Sequence, residues 1–182
     1  MEDTRTALER AEKMLGLLGI PTSRPEDFRL DASVVPANLL EVVKRIKETR
    51  WGYLSTITGL DHPEPESRES KDRQWRHIQD EAMLDDLETS GAIEVLYHFC
   101  NGAAVLSLRL LASYSHATIP TISTLFSSAT LYEMELAEMF GVRIQGIPQE
   151  HLLLPEDWPK NVYPLRKSFH GLKDSGDTRR QA

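Results

Sequence analysis

Residues 93–111 read IEVLYHFCNGAAVLSLRLL, and they carry the clearest structural signal in the chain. Two apolar runs, residues 93–99 and 105–111, flank the pair Asn101-Gly102. Asparagine and glycine accept the positive φ angles of a tight type I′ turn, so the pattern predicts an antiparallel β-hairpin.

Two helices are predicted before the hairpin. Apolar residues at helical spacing indicate a first helix near residues 6–18, where Thr6 and Glu9 fit a capping box. A second helix is predicted to begin at Pro36 and to end before Gly52, because proline is favoured in the first turn of a helix.

Extended segments complete the predicted sheet. Residues 28–35 and 53–60 have the composition of strands, and residues 142–144 suggest a third, shorter one. Together with the hairpin and helices, they predict an α+β fold: a mostly antiparallel sheet with helices packed on one face, followed by an extended C-terminal docking segment.

The chain is expected to form a single domain over residues 1–170. Residues 61–90 are rich in acidic side chains and are predicted to be a charged loop or insertion, with a helix near residues 74–87. Residues 171–182 are polar and small, which predicts a disordered tail.

Composition excludes several classes of function. A net charge of -7 argues against nucleic acid as a partner, because phosphates require a basic face. The single Cys100 can form no internal disulfide and cannot hold an iron–sulfur cluster, so any electrons would pass through a neighbouring subunit. No apolar run is long enough to span a bilayer, and the N-terminus lacks a secretory profile, which predicts a cytoplasmic location.

Residues 130–141 predict a third helix that is bounded by its own sequence. Thr130 and Glu133 fit a capping box, and Gly141 suits a left-handed C-cap. Helical spacing places Glu135 and Glu138 on one flank and Glu133 on the other. Two interpretations remain open. In the first, Glu135 and Glu138 pair with cationic groups of a partner or support a proton path. In the second, these two are solvated flank residues and Glu133 is only a cap.

The segment after this helix has neither helical nor strand alternation. Leu152, Leu153 and Leu154 precede a stretch in which three prolines fix φ and remove backbone donors. A stiff, extended arm of this kind loses little entropy on binding, which favours a docking strap, residues 152–158. The alternative is a segment that closes the core of its own domain.

Three motifs in the last third resemble a known family. They are YEME with EMFG at residues 132–141, LLPEDW at 153–158 and PLRK at 164–167. They look like the thirty-kilodalton subunit of NADH:quinone oxidoreductase, which is respiratory complex I. The same module occurs in energy-converting nickel–iron hydrogenases and related membrane-bound oxidoreductases. The resemblance covers residues 28–60 and 92–170.

The resemblance implies an α+β subunit of a hydrophilic arm on the cytoplasmic side of the membrane, peripheral to it and without a cofactor. Its implied partners are the large, hydrogenase-like subunit of the forty-nine-kilodalton type and the small iron–sulfur subunit of the same complex. Iron–sulfur clusters, and in some relatives a nickel–iron centre, would belong to those partners, and the membrane would be reached only through the complex.

Docking is therefore the predicted function, without catalysis by this chain. Nine residues are predicted to dock a partner: Glu133, Glu135, Glu138, Leu152, Leu153, Leu154, Trp158, Arg166 and Lys167. Met134 stands where the family usually has arginine, and Glu138 where it usually has aspartate. One alternative is the equivalent subunit of a nickel–iron hydrogenase or formate hydrogenlyase. Another is a stand-alone enzyme with Glu135 and Glu138 as acid and base, and a third is an adaptor unrelated to redox chemistry.

Overall fold

The computed structural model describes residues 2–63, 90–115, 117–147 and 152–172. Within these ranges the chain forms three α-helices, one short 3₁₀ helix and seven strands. In chain order they are α1 (Thr4–Gly16), β1 (Thr22–Glu26), β2 (Arg29–Ser33), the 3₁₀ helix (Pro36–Asn38), α2 (Leu39–Glu48), β3 (Tyr53–His62), β4 (Ala92–Asn101), β5 (Ala104–Ser113), β6 (Thr118–Pro120), α3 (Ala129–Phe140) and β7 (Arg143–Gln145).

Five strands form the main sheet in the order β1-β2-β5-β4-β3. Neighbours pair antiparallel except β2 and β5, which run parallel with Arg29 opposite Val105 and Ser33 opposite Arg109. Strands β6 and β7 form a separate parallel pair. The predicted α+β fold with a mostly antiparallel sheet is confirmed.

The hairpin is present, but its turn lies one residue later than predicted. Asn101 pairs with Ala104, so the two connecting residues are Gly102 and Ala103. Only Gly102 of these has a positive φ, +59°. A type I′ turn requires positive φ at both central residues, so the predicted turn type is wrong, although the predicted strands are correct.

One face of the sheet carries the core. Alternating residues of β5, namely Leu106, Leu108 and Leu110, are fully buried, and so are Val95 and Tyr97 of β4 opposite them. Helix α1 packs on β2 and β5, while α3 packs on β3. The predicted helices on the sheet therefore exist because each has one apolar stripe to bury.

The start of α1 differs from the prediction. The N-cap is Asp3, whose carboxylate accepts a hydrogen bond from the Thr6 amide. Glu9 instead binds Arg5 one turn away. The predicted Thr6–Glu9 capping box is wrong, because the helix begins at Thr4, before the threonine that was expected to cap it.

Three expectations concern parts of the chain that are wholly or largely outside the described residues. They are the charged insertion at 61–90 with its helix at 74–87, the tail at 171–182, and the single-domain boundary that depends on both. Within the described ranges, no helix combines the length and apolar character that crossing a membrane requires.

Candidate docking site

Glu133 lies at the centre of the buried face of α3, with no exposed surface. Its carboxylate accepts hydrogen bonds from the Ile122 amide at 2.7 Å and from the Thr121 hydroxyl at 2.5 Å. Burial raises the pKa of Glu133, and these two hydrogen bonds only partly oppose that effect. The side chain therefore fixes α3 to the connector after β6.

The predicted capping role of Glu133 is consequently wrong. It does not cap α3, because the N-cap is Ser128, and the Thr130 hydroxyl donates to the Ser127 carbonyl instead. The predicted role of Glu133 in docking gains no support, because no part of its side chain reaches the surface of this chain. The left-handed C-cap at Gly141 is confirmed, with φ +73°.

Glu138 anchors the segment after β7 to α3. Its two carboxylate oxygens accept the Leu152 and Leu153 amides at 2.5 and 2.7 Å. Glu135, one turn earlier, is exposed. The structure thus separates the two glutamates that were predicted to share a role: one binds backbone of its own chain, and the other faces solvent.

Three further contacts hold residues 152–172 against the domain; this segment includes the predicted strap at 152–158 and is called the docking strap from here on. The Leu165 amide donates to the Met139 carbonyl, and the Lys167 amide donates to Asp61 at 2.7 Å. Arg166 Nε donates to the Phe140 carbonyl at 2.7 Å. Within the strap, Trp158 Nε1 donates to the Val162 carbonyl. The strap is therefore tethered to the domain at two places, residues 152–153 and residues 165–167.

Arg166 is the most elaborate of these tethers. Its guanidinium lies between the rings of Tyr114 and Tyr163, 4.5 Å from each ring centroid. The Tyr114 hydroxyl in turn donates to Asp61, and burial together with this hydrogen bond raises the pKa of Tyr114. These contacts use the Nε–H and the faces of the guanidinium within the chain, so they give no support to the prediction that Arg166 docks a partner.

The leucines of the strap point the other way. Leu152, Leu153, Leu165 and Leu172 are 42%, 53%, 50% and 50% exposed. Leu154 and Trp158 are half-buried and line a cleft of about 420 Å³ beside Gly141 at the end of α3. Four of the five leucines of the strap are therefore exposed, while backbone amides and Arg166 hold the strap to the domain.

An ionic ladder crosses the opposite face of the sheet, and it was not predicted from the sequence. Arg109 binds Glu94 at 2.6 Å and Asp31 at 3.2 Å, and Asp31 also binds Arg29. His62 lies 2.9 Å from Glu94. Burial alone would raise the pKa of Glu94, but the hydrogen bond with His62 and the Arg109 charge hold it below its usual value.

Spacing along the sequence offers one usable signal for this ladder. Arg29 and Asp31, two residues apart in β2, must share a face of the strand. The pairing of β2 with β5 joins strands that are far apart in the sequence, so local sequence patterns do not predict it. Among the described residues, no group of three or more histidine, cysteine or acidic side chains could hold a metal ion.

Comparison with known proteins identifies the family. A family model described as the 30 kDa subunit of respiratory-chain NADH dehydrogenase matches residues 32–175. The NADH-quinone oxidoreductase C subunit of Moorella thermoacetica is 27% identical over 84% of this chain and 88% of its own length. The protein of the same name from a Roseiflexus species is 28% identical over 91% and 83%.

Two solved structures share the fold. A chain of the membrane-bound sulfane sulfur reductase, an archaeal respiratory membrane complex, has a TM-score of 0.65 at 19% identity, covering 89% of this chain and 84% of that one. A trypsin-resistant fragment of Nqo5 has a TM-score of 0.57 at 18% identity, covering 80% and 99%. With more than half of its residues matched, the chain belongs to the family of the 30 kDa subunit of respiratory-chain NADH dehydrogenase.

Proposed function

We propose that this chain is a non-catalytic docking subunit in the hydrophilic arm of a membrane-bound redox complex of the NADH:quinone oxidoreductase type. Its docking strap binds the large, hydrogenase-like subunit close to the terminal iron–sulfur cluster held by the small subunit. Membership of the 30 kDa subunit family supports the type of complex. The orientation of the strap supports the mode of binding.

The exposed leucines of the strap are the observation that carries this proposal. An unattached segment would have to lose conformational entropy before it could bind. Here Glu138 and Arg166 already hold the strap, so its leucines are presented at fixed positions. Apolar side chains held outward by internal polar contacts are suited to a protein partner.

The redox centres of the complex are proposed to lie in the partner subunits. This chain would contain no cofactor, would bind no nucleic acid and would reach the cytoplasmic face of the membrane only through the complex. Glu135, Leu154, Trp158 and the side chain of Lys167 remain proposed docking residues. Glu135 and Lys167 are exposed, and the other two line the cleft at the base of the strap.

A hydrogenase-type complex is the second candidate. This chain shares its fold with a chain of the sulfane sulfur reductase, over most of both chains. The fold is therefore compatible with respiratory membrane complexes other than NADH:quinone oxidoreductase. A stand-alone enzyme is less well supported, because the Glu138 carboxylate is occupied by two backbone amides.

The test is binding of the purified chain to the large hydrogenase-like subunit of its own host. We expect the double substitution of Leu152 and Leu153 by serine to weaken binding by about 2 kcal/mol, roughly thirtyfold in Kd, because two half-exposed leucines lose their burial. Leu17→Ser, just after α1, is the matched control and should leave Kd unchanged.

Two results would contradict the proposal. One is unchanged binding of the double variant, with circular dichroism identical to that of the wild type. The other is stoichiometric iron or flavin in the chain purified alone, which would place a redox centre here.

A further inference from the structure

The two edge strands of the main sheet, β1 and β3, differ in how well they are protected against pairing with another polypeptide. Strand β1 contains Arg24, Pro25 and Glu26, and its pairing with β2 is irregular between Ser23 and Glu26. Charges, proline and a bulge are the devices by which natural sheets prevent an edge from pairing with another chain. The β1 edge is therefore closed to strand addition.

Strand β3 lacks these devices over most of its length. Its residues 53–60 read YLSTITGL, with no charge and no proline, and β4 is its one strand partner in the described part of the chain. A bulge between Leu54 and Thr56 is the single irregularity, so pairing is regular from Thr56 onward. An edge of this composition is open to pairing.

Contacts within the chain mark both ends of this open edge. The Tyr132 hydroxyl donates to the Ser55 carbonyl, and Asp61 accepts the Lys167 amide. Between them, residues 56–60 have no backbone–backbone hydrogen bond other than their pairing with β4 within the described ranges, and the Ile57 carbonyl accepts one long bond, 3.5 Å, from the Thr56 hydroxyl. Helix α3 covers the inner face here, because a Cβ on Gly59 would lie 2.6 Å from the Phe140 ring. Within the described residues, no other element covers the lateral edge.

We propose that the β3 edge, residues 56–60, is a second docking surface that accepts an extended, uncharged strand of a partner subunit. Outward N–H and C=O groups at strand spacing are complementary to another extended backbone, which is the basis of β-strand addition. Leu60 is 41% exposed at one end, and Tyr53 is 61% exposed beyond the other. Apolar or β-branched side chains in the incoming strand would cover them.

The partner subunit is favoured over a second copy of this chain by continuity with the docking strap. The Lys167 amide of the strap binds Asp61 at the end of the β3 edge, and Leu165 nearby is 50% exposed. A polypeptide that covers the strap near Leu165 therefore lies next to the β3 edge, with no element between them in the part of the chain that the structure describes. The inference rests on the proposed function, but the bonding differs: side chains bind at the strap, and backbone binds at the edge.

Hydrogen–deuterium exchange on the intact complex tests this inference directly. The complex is purified through a tag on the large hydrogenase-like subunit and compared with the isolated chain. We expect exchange at alternate amides within residues 56–60 to slow by about tenfold or more on assembly. Amides of β1 are the internal control and should exchange equally in both samples.

A matched pair of lysine substitutions gives a second readout. Leu60 on β3 and Leu40 on α2 are both 41% exposed, so each tolerates lysine in the folded chain. Leu60→Lys should weaken binding to the large subunit roughly tenfold and abolish the slowed exchange, because lysine on an edge opposes strand addition. Leu40→Lys should change neither.

Two outcomes would overturn the inference: unchanged exchange at residues 56–60 in a complex that still assembles, or slowed exchange in the isolated chain that grows with its own concentration. The second would indicate self-pairing. Failure of the proposed function is distinguishable, because it would show as unchanged binding after substitution of Leu152 and Leu153.

Discussion

Glu133 offers the sharpest test of how this domain is held together. Its carboxylate has no exposed surface and binds the Ile122 amide and the Thr121 hydroxyl. Glu133→Ala removes both hydrogen bonds and leaves the buried Ile122 amide without its acceptor. The lost Thr121 hydrogen bond costs about 1 kcal/mol, and leaving the buried Ile122 amide unpaired costs about 1–3 kcal/mol. We therefore expect a loss of about 2–4 kcal/mol.

Glu133→Gln should behave in the opposite way. The glutamine carbonyl keeps the Ile122 amide as its donor, and the side-chain amide can donate to Thr121, so the contacts survive without a charge. The variant should lie within about 1 kcal/mol of the wild type at pH 5. Above that pH it should become the more stable of the two.

The pH dependence follows from the pKa of Glu133. Burial raises this pKa in the folded state, so the folded chain binds the proton more tightly than the unfolded chain. Stability contributed by the protonated form is present at low pH. It is lost as the pH rises from the unfolded value of about 4.3 through the higher folded pKa. Glutamine does not titrate, so this component of the slope disappears.

Urea unfolding at pH 5 and pH 8 measures these effects, with fluorescence of the fully buried Trp51 as a probe. Glu135→Gln, on the exposed side of α3, is the control and should stay within about 0.5 kcal/mol of the wild type. The reasoning is refuted if Glu133→Ala lowers the free energy of unfolding no more than Glu135→Gln does. It is also refuted if Glu133→Gln lowers it as much as Glu133→Ala.

Three further substitutions probe other contacts. Arg166→Lys should lose the ring stacking and the Nε hydrogen bond, which destabilises the attachment of the strap by about 1–2 kcal/mol. Faster proteolysis within residues 152–172 would show this effect. Lys167→Met keeps the backbone contact with Asp61 and should leave the rate of proteolysis unchanged. Gly59→Ala should cost about 1–3 kcal/mol in urea unfolding, because the added Cβ overlaps α3, and an unchanged midpoint would contradict that packing. Arg109→Met should lower the free energy of unfolding by about 3–5 kcal/mol at pH 7, because it removes the cation that the buried Asp31 and Glu94 share. The loss should be smaller at pH 4. An equal loss at both pH values would exclude the ionic explanation.

Local patterns predicted the regular elements well. The hairpin of β4 and β5, the strand β3 and all three helices follow from apolar spacing, since each element buries one face and repeats at its own period. Strand β1 was not predicted. Its sequence TSRPE carries a proline and charges that local propensity assigns to loops, and it pairs because it lies at the edge of the sheet.

The docking residues were harder to assign, because their roles depend on contacts far along the chain. Glu133 was placed on a polar flank by spacing, yet the connector after β6 supplies donors that make burial possible. Arg166 was expected to bind a partner, but Tyr114 and Tyr163 enclose it. Spacing within one helix or turn carries no information about either arrangement, because the contacting residues come from other elements.

The parallel pairing of β2 with β5 has a consequence for the order in which this chain folds. Strand β2 is synthesised early, but its parallel partner β5 is the second strand of the hairpin and is synthesised much later. Helix α1 packs on both strands. Closing so long a loop is slow. Until it closes, helix α1 and the β1–β2 pair have few apolar partners against which to bury their side chains. A fragment that ends at His62 should therefore stay unfolded, and assembly of the domain waits until the hairpin has left the exit tunnel.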